Sequence, residues 1–330
     1  MRIRLGIGLA VALALGFRGA GATELTLDLP VACRPGTDCW IVNYVDLDPG
    51  PGVRDFRCGR ASYNGHKGVD FAVRDFAQVR AGVPVRASAA GEVLRLRDGT
   101  ADQAAAPGGQ ECGNGIVLDH GGGWTTQYCH LRRGSIAVKP GQRVAAGDSI
   151  GMIGQSGLAD FPHVHLQVAL RGTIVDPFLG ADGSPAACDV GRNHLWSKTA
   201  LDLLTPYRPT AIYNAGLAPE EPRPAQARAG AYETATLAAT APVLVAWADI
   251  FWVQAGDQVQ VRLFDPAGGV LADKTVAAEK TLARRFVYAG ARRKAAAWPA
   301  GAYGVEIVVL RDKDGRAVEE SRRARRIEVR

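Results

Sequence analysis

Neither of the two commonest zinc signatures is present in the chain. There is no His-Glu-x-x-His, so any metal chemistry must use another arrangement, and no Cys-x-x-Cys, which argues against a cysteine zinc site. No nucleic-acid-binding motif occurs, and a nucleic-acid partner is not expected. Beyond the first twenty residues no apolar run approaches the ~20 residues of a spanning helix, so no membrane span is expected after the leader.

The start of the chain reads as that leader. Met1-Arg2-Ile3-Arg4 is a basic opening, Leu5 to Phe17 an apolar stretch, and Ala20-Gly21-Ala22 a run of small residues suited to cleavage, so residues 1–22 are expected to be a signal peptide. Arg2, Arg4 and Arg18 account for +3 of the formal +6, leaving the remainder near +3. From Ala231 onward there are 16 basic and 12 acidic residues, which places the positive excess in the C-terminal part. This is enough for a solvated basic face or a weak attraction to an anionic wall polymer. No Cys near the cleavage site invites lipid attachment, and the location expected is periplasmic or secreted.

The six cysteines are an even set, which in an exported chain favours disulfides. Fifteen pairings are available. Cys33/Cys39 is the natural local pair, Cys112/Cys129 would staple two neighbouring strands, and Cys58/Cys188 would tie the two ends of the central region.

What the chain does contain is a set of histidines in strand-like, Gly-flanked segments. Asn64-Gly65-His66-Lys67-Gly68-Val69-Asp70-Phe71 puts a His and a carboxylate four positions apart on a loop entering a strand. About a hundred residues later comes Pro162-His163-Val164-His165-Leu166. Side chains at i and i+2 of a strand share a face with backbones roughly 6–7 Å apart, so one of these two histidines can bind an ion while the other stands beside its open position. Trp124-Thr125-Thr126-Gln127-Tyr128-Cys129-His130-Leu131 offers another His in an alternating pattern. A single strand His is ordinarily just a hydrogen-bonded residue, but four of the six histidines fall in these three segments with an Asp at ligand spacing, a mixed N/O set suited to an open zinc site.

His66-x-x-x-Asp70, His130 after Tyr128, and His163-x-His165 resemble the LytM/lysostaphin-type zinc metallopeptidases, most of which cleave peptide bonds in peptidoglycan. The resemblance runs over roughly residues 63–178 and takes in Gly115 to Gly121 and Val144 to Gly151. It implies one zinc ion held by His66, Asp70 and His165, with His130 and His163 as non-ligand catalytic histidines. It also implies peptidoglycan or its peptides as substrate, with Gly-rich proteins as an alternative. Members that have lost ligands act as activators rather than enzymes; the full set is present here, which weighs against a purely regulatory or wall-binding role.

Other polar residues have simpler readings. Asp46 and Asp48 sit among Pro and Gly and suit turn chemistry better than a paired-carboxylate function. Asp176, before Pro177, is a turn residue; His120, before three glycines, belongs to a strand end; and His194 has no matching partner.

The fold expected is all-β. Residues 23–62, rich in Pro, Gly and Asp, read as an irregular, disulfide-pinned segment wrapping the next domain. Residues 63–180 carry frequent short strands with turn signals, as in a LytM-type antiparallel sheet, interrupted by a loop from Asp98 to Glu111 long enough to line a groove. Residues 181–228 read as a connector with a short helix over Ser197 to Leu204 and a Pro-rich end. Residues 229–330 alternate apolar and polar positions, with turns at Asp265-Pro266-Ala267-Gly268-Gly269 and Trp298-Pro299-Ala300-Gly301, and an immunoglobulin-like β-sandwich is expected. Trp247, Trp252 and Trp298 are assigned to core packing over a sugar- or peptide-binding surface; wall or a protein is the partner expected for this domain if it binds one.

Overall fold

The computed structural model describes residues 25–104 and 108–330. The leader expected at 1–22 lies outside the described residues, as does part of the loop from Asp98 to Glu111.

The first half is built on one antiparallel sheet. Its strands, with one small separate pair, are β1 (Cys39–Asn43), β2 (Val69–Val73), β3 (Pro84–Arg86), β4 (Gly91–Arg97), β5 (Asn114–Gly121), β6 (Trp124–Leu131), β7 (Arg143–Val144), β8 (Ser149–Met152), β9 (His163–Leu170) and β10 (Thr173–Ile174). The sheet runs β1-β2-β9-β6-β5-β4-β7, with β10 hairpinned onto β9, while β3 and β8 pair separately. Period-2 alternation divides its faces. Val69, Phe71 and Val73 of β2 and Val164, Leu166 and Val168 of β9 enter the main core. The opposite face of the same strands presents Asp70, His163 and His165. Residues 23–62, expected to be irregular, include β1, which extends the sheet as its edge strand beside β2.

The three disulfides join Cys33 to Cys39, Cys58 to Cys188 and Cys112 to Cys129. The third fastens the loop before β5 to β6, and the Cys112 carbonyl accepts the His130 backbone N–H at 2.8 Å. Closing a loop of that size restricts the unfolded chain by about 3 kcal/mol. The Cys112→Ala/Cys129→Ala double variant is therefore expected to lose that much stability in urea unfolding; an unchanged midpoint and slope would mean the bridge does not constrain this region.

The second half consists of β11 (Ala211–Ala218), β12 (Thr236–Leu237), β13 (Val243–Val253), β14 (Gln258–Phe264), β15 (Val270–Ala277), β16 (Leu282–Arg292), β17 (Gly301–Lys313) and β18 (Arg316–Val329). One sheet runs β11-β13-β16, the other β12-β18-β17-β14-β15. Leu217, Leu244, Ile250 and Val287 of the first meet Val261, Tyr303, Ile307 and Ile327 of the second in one core, so the two sheets form a sandwich. Trp247 and Trp298 are buried, as core packing requires.

The stretch 181–228 is not only a connector. Ala211–Ala218 is a strand of the sandwich, hydrogen-bonded to β13. It lacks alternation because both its faces are covered: Ile212, Ala215 and Leu217 enter the sandwich core, whereas Ala211 and Tyr213 pack with Trp40, Val42, Ala72 and Phe251. That last cluster lies on the same face of the first sheet as Asp70, so the sandwich covers part of the face that bears the histidines.

Candidate metal centre

Asp70 and His165 stand directly opposite each other on β2 and β9, with Ala72 opposite His163. Directly opposed residues of an antiparallel pair have Cβ atoms about 4.5–5.5 Å apart, so register alone brings the carboxylate and the second His of the pair together. His66 comes from the loop before β2. Its Nε2 lies 3.2 Å from Asp70 Oδ1 and 3.1 Å from His165 Nδ1, and His165 Nδ1 lies 2.8 Å from the same Oδ1. These three atoms form a group with metal-binding geometry.

Backbone carbonyls settle the tautomers. A carbonyl oxygen only accepts, so His66 Nδ1 donates to Tyr44 O at 2.7 Å, His130 Nδ1 to Ser156 O at 2.8 Å and His163 Nδ1 to Phe161 O at 2.8 Å. In its neutral form each of these rings therefore presents a bare Nε2. His66 Nε2, His165 Nδ1 and Asp70 Oδ1 converge on one point, which either protons shared with the carboxylate or a cation among them would hold together. Tetrahedral zinc ligands at about 2.0–2.1 Å are roughly 3.3–3.4 Å apart, close to the separations found here, so the residues fit a single zinc ion. The hydrogen bond from His66 Nδ1 to a carbonyl is also the usual way a metal-binding imidazole is oriented.

Electrostatics follow from burial and proximity. Burial pulls the His66 imidazole down, but the Asp70 charge and hydrogen bond outweigh it and hold its pKa above the ordinary value. Burial pushes Asp70 up, and the His66 and His163 charges, with hydrogen bonds from His165 and His66, overcome this and hold the carboxyl well below the usual range. Burial, reinforced by His163 and His165, takes His130 down to about 3, so it is neutral across the ordinary pH range. His163 is lowered too, by burial against the pull of Asp70.

His163 and His130 complete the cluster. His163 Nε2 is 3.6 Å from Asp70 Oδ1, and the His130 ring centroid is 4.5 Å from that of His163 and 6.1 Å from that of His165. Strict alternation along β6 would send His130 toward the core with Tyr128. A bulge prevents this. Asn114 pairs with Leu131 and Ile116 with Tyr128, so Cys129 and His130 together oppose Gly115, and His130 adopts φ 64°. Bulges beside active sites re-aim side chains in this way. Gly115 is required opposite it, since a Cβ there would lie 2.7 Å from the Tyr128 carbonyl oxygen. Gly68 is constrained similarly, because a Cβ would fall 2.6 Å from the His165 ring.

All five expected residues thus meet, and the remaining polar residues behave as turn and strand-end groups. Asp46 caps backbone N–H groups of Asp48, Arg54 and Gly65, and His120 bonds Ala90 O and Thr126 Oγ1 at a distance from the cluster. Asp176 accepts the Phe178 N–H. Three contributors carried no recognisable signal in the sequence: Asn43, whose Nδ2 donates to Asp70 Oδ2 at 2.7 Å; the Tyr44 carbonyl; and Tyr63, half-exposed with its ring 4.5 Å from that of His66.

Comparison with known proteins bears on the same stretch. Residues 64–177 match the family described as Peptidase family M23. Over 111 residues the chain is 34% identical to the peptidoglycan DD-endopeptidase ShyA of Vibrio cholerae, covering 34% of this chain and 22% of that protein. Over 112 residues it is 36% identical to a metalloprotease of Haemophilus influenzae, covering 34% and 20%. The matched stretch thus spans about a fifth of the length of these curated relatives. Among solved structures, the catalytic domain of the antimicrobial peptidase lysostaphin from Staphylococcus simulans aligns at 27% identity, covering 41% of this chain and 85% of that one, with a TM-score of 0.28. Residues 64–177, which hold every member of the histidine and aspartate cluster, are thus the part of the chain that is similar to peptidase family M23.

Proposed function

We propose that the protein is an exported zinc endopeptidase that hydrolyses amide bonds in peptidoglycan cross-links or stem peptides. The observation that carries this reading is the division of labour in the cluster: three donor atoms converge on one point while His130 and His163, each with a bare Nε2, stand beside it. A purely structural ion would need no such spare histidines.

His66, Asp70 and His165 would hold the ion. Zinc, when bound, supplies a Lewis acid that lowers the pKa of a water and polarises the scissile carbonyl. His130 and His163, locked by their Nδ1 hydrogen bonds, present Nε2 to accept the proton of the attacking water, and the ring so protonated would then steady the developing oxyanion and pass that proton to the leaving amine. The chain supplies no adjacent Glu base, so these duties fall to histidine.

The substrate assignment draws on the relative named as a peptidoglycan endopeptidase, and the exported location on the leader and the three disulfides. No helix among the described residues is long and apolar enough to cross a membrane. For the sandwich, the immunoglobulin-like reading is supported by the connections: β13 and β14, and again β16 and β17, are consecutive strands in different sheets. Its basic excess would favour an anionic wall polymer as its contact.

Incubating the zinc-loaded protein, after leader removal, with purified sacculi should release muropeptides whose masses correspond to cleaved peptide links, and a chelator should abolish the release. Chelator-sensitive cleavage of Gly-rich protein with intact sacculi would shift the substrate, and binding to sacculi without release would make the protein a wall-binding module.

A further inference from the structure

We propose that Asn43 and Trp252 are positioning residues for Asp70, making the C-terminal sandwich part of what sets the metal affinity of the site. The inference rests on the metal reading above and concerns residues on either side of 64–177.

Asp70 divides its two oxygens between tasks. Oδ1 faces His66 and His165, while Oδ2 accepts from Asn43 Nδ2 at 2.7 Å in a buried setting. Asn43 is aimed there by a bulge: Ile41 pairs with Phe71, but Asn43 pairs with Asp70, which leaves Val42 without its own partner. The bulge is clamped from the sandwich. Trp252 Nε1 donates to Val42 O at 2.7 Å and approaches Asn43 Oδ1 at 3.3 Å. An indole N–H only donates and a carboxylate only accepts, so the Asn43 amide between them has one workable orientation, with Nδ2 toward Asp70.

Trp252 is itself at an irregular point. Phe251 pairs with Arg284 and Val253 with Leu282, so Trp252 is skipped in the ladder to β16, and its φ is 52°. A bulky residue in the left-handed region is strained and persists only where its surroundings impose it. Here the conformation swings the indole out of the sandwich to pack against both Trp40's cluster and the main core of the peptidase half. Groups that orient a metal ligand from behind alter metal affinity by about 10- to 100-fold when removed.

The test measures zinc dissociation constants of the full chain by competition with a chromophoric chelator, in wild type, Trp252→Phe, Asn43→Ala and the double variant. Phe keeps an aromatic ring in the apolar seat and removes the N–H together with part of the indole. Asn43→Ala should weaken zinc binding about 10- to 100-fold and Trp252→Phe at least about threefold. The double variant should bind no more weakly than Asn43→Ala alone, because both act along one path. Arg80→Ala, which removes a different contact between the halves, the bond to Ala229 O, should change the constant less than about twofold. An unchanged constant in Trp252→Phe, losses that multiply, or an equal loss in Arg80→Ala would each overturn the proposal while leaving the metal reading intact. A wild-type chain that takes up no zinc would overturn both.

Discussion

His130→Ala is expected to keep one zinc per chain and to lose amide hydrolysis by about 10²- to 10⁴-fold, the usual contribution of a positioned acid–base group. The two halves of this expectation have separate physical origins. Metal retention follows from geometry, since the His130 imidazole bonds Ser156 O through Nδ1 and is not among the three converging donors. Loss of turnover follows from removing a neutral, pre-oriented Nε2 at the reacting centre. Alanine is a lenient replacement for the backbone, although φ 64° still carries a small strain there. Metal analysis and the rate of muropeptide release would be read on the same sample; undiminished hydrolysis would remove His130 from the chemistry.

His66→Ala and Asp70→Ala should instead lose zinc and activity together. Three protein ligands with one open position is the minimum for a catalytic zinc site, and two leave the ion to dissociate. Asp70→Ala carries an additional cost. It strips His66 and His165 of their shared carboxylate and leaves the Asn43 amide with a buried unmade hydrogen bond, about 1–3 kcal/mol. The variant should therefore be less stable than His130→Ala as well as metal-free. A His66→Ala protein that retained stoichiometric zinc through gel filtration would refute the ligand set.

Much of this site was legible because its residues obey simple periodicities. His163 and His165 are two apart on a strand and do share a face, and the Cys112/Cys129 bridge falls where hairpin neighbours were expected. What escaped is where regular pairing breaks. His130 seemed to follow an alternation that would in fact have pointed it into the core, and only the bulge opposite Gly115 redirects it. Asn43 sits in an apolar run whose edge-strand character depends on pairing with β2, where its hydrogen-bond partner Asp70 lies 27 residues further along the chain. Ala211–Ala218 was hidden in a connector because a strand covered on both faces shows no alternation, the pattern by which half-covered strands are recognised.

The covered face around Ala72 bears on how this molecule can be divided. A truncation ending before Ala211 would leave Trp40, Val42 and Ala72 facing water as a contiguous apolar surface, the kind of patch that drives self-association. The half that matches peptidase family M23 is thus packed against the sandwich and not merely joined to it, and its isolated fragment should be a sticky, poorly soluble product.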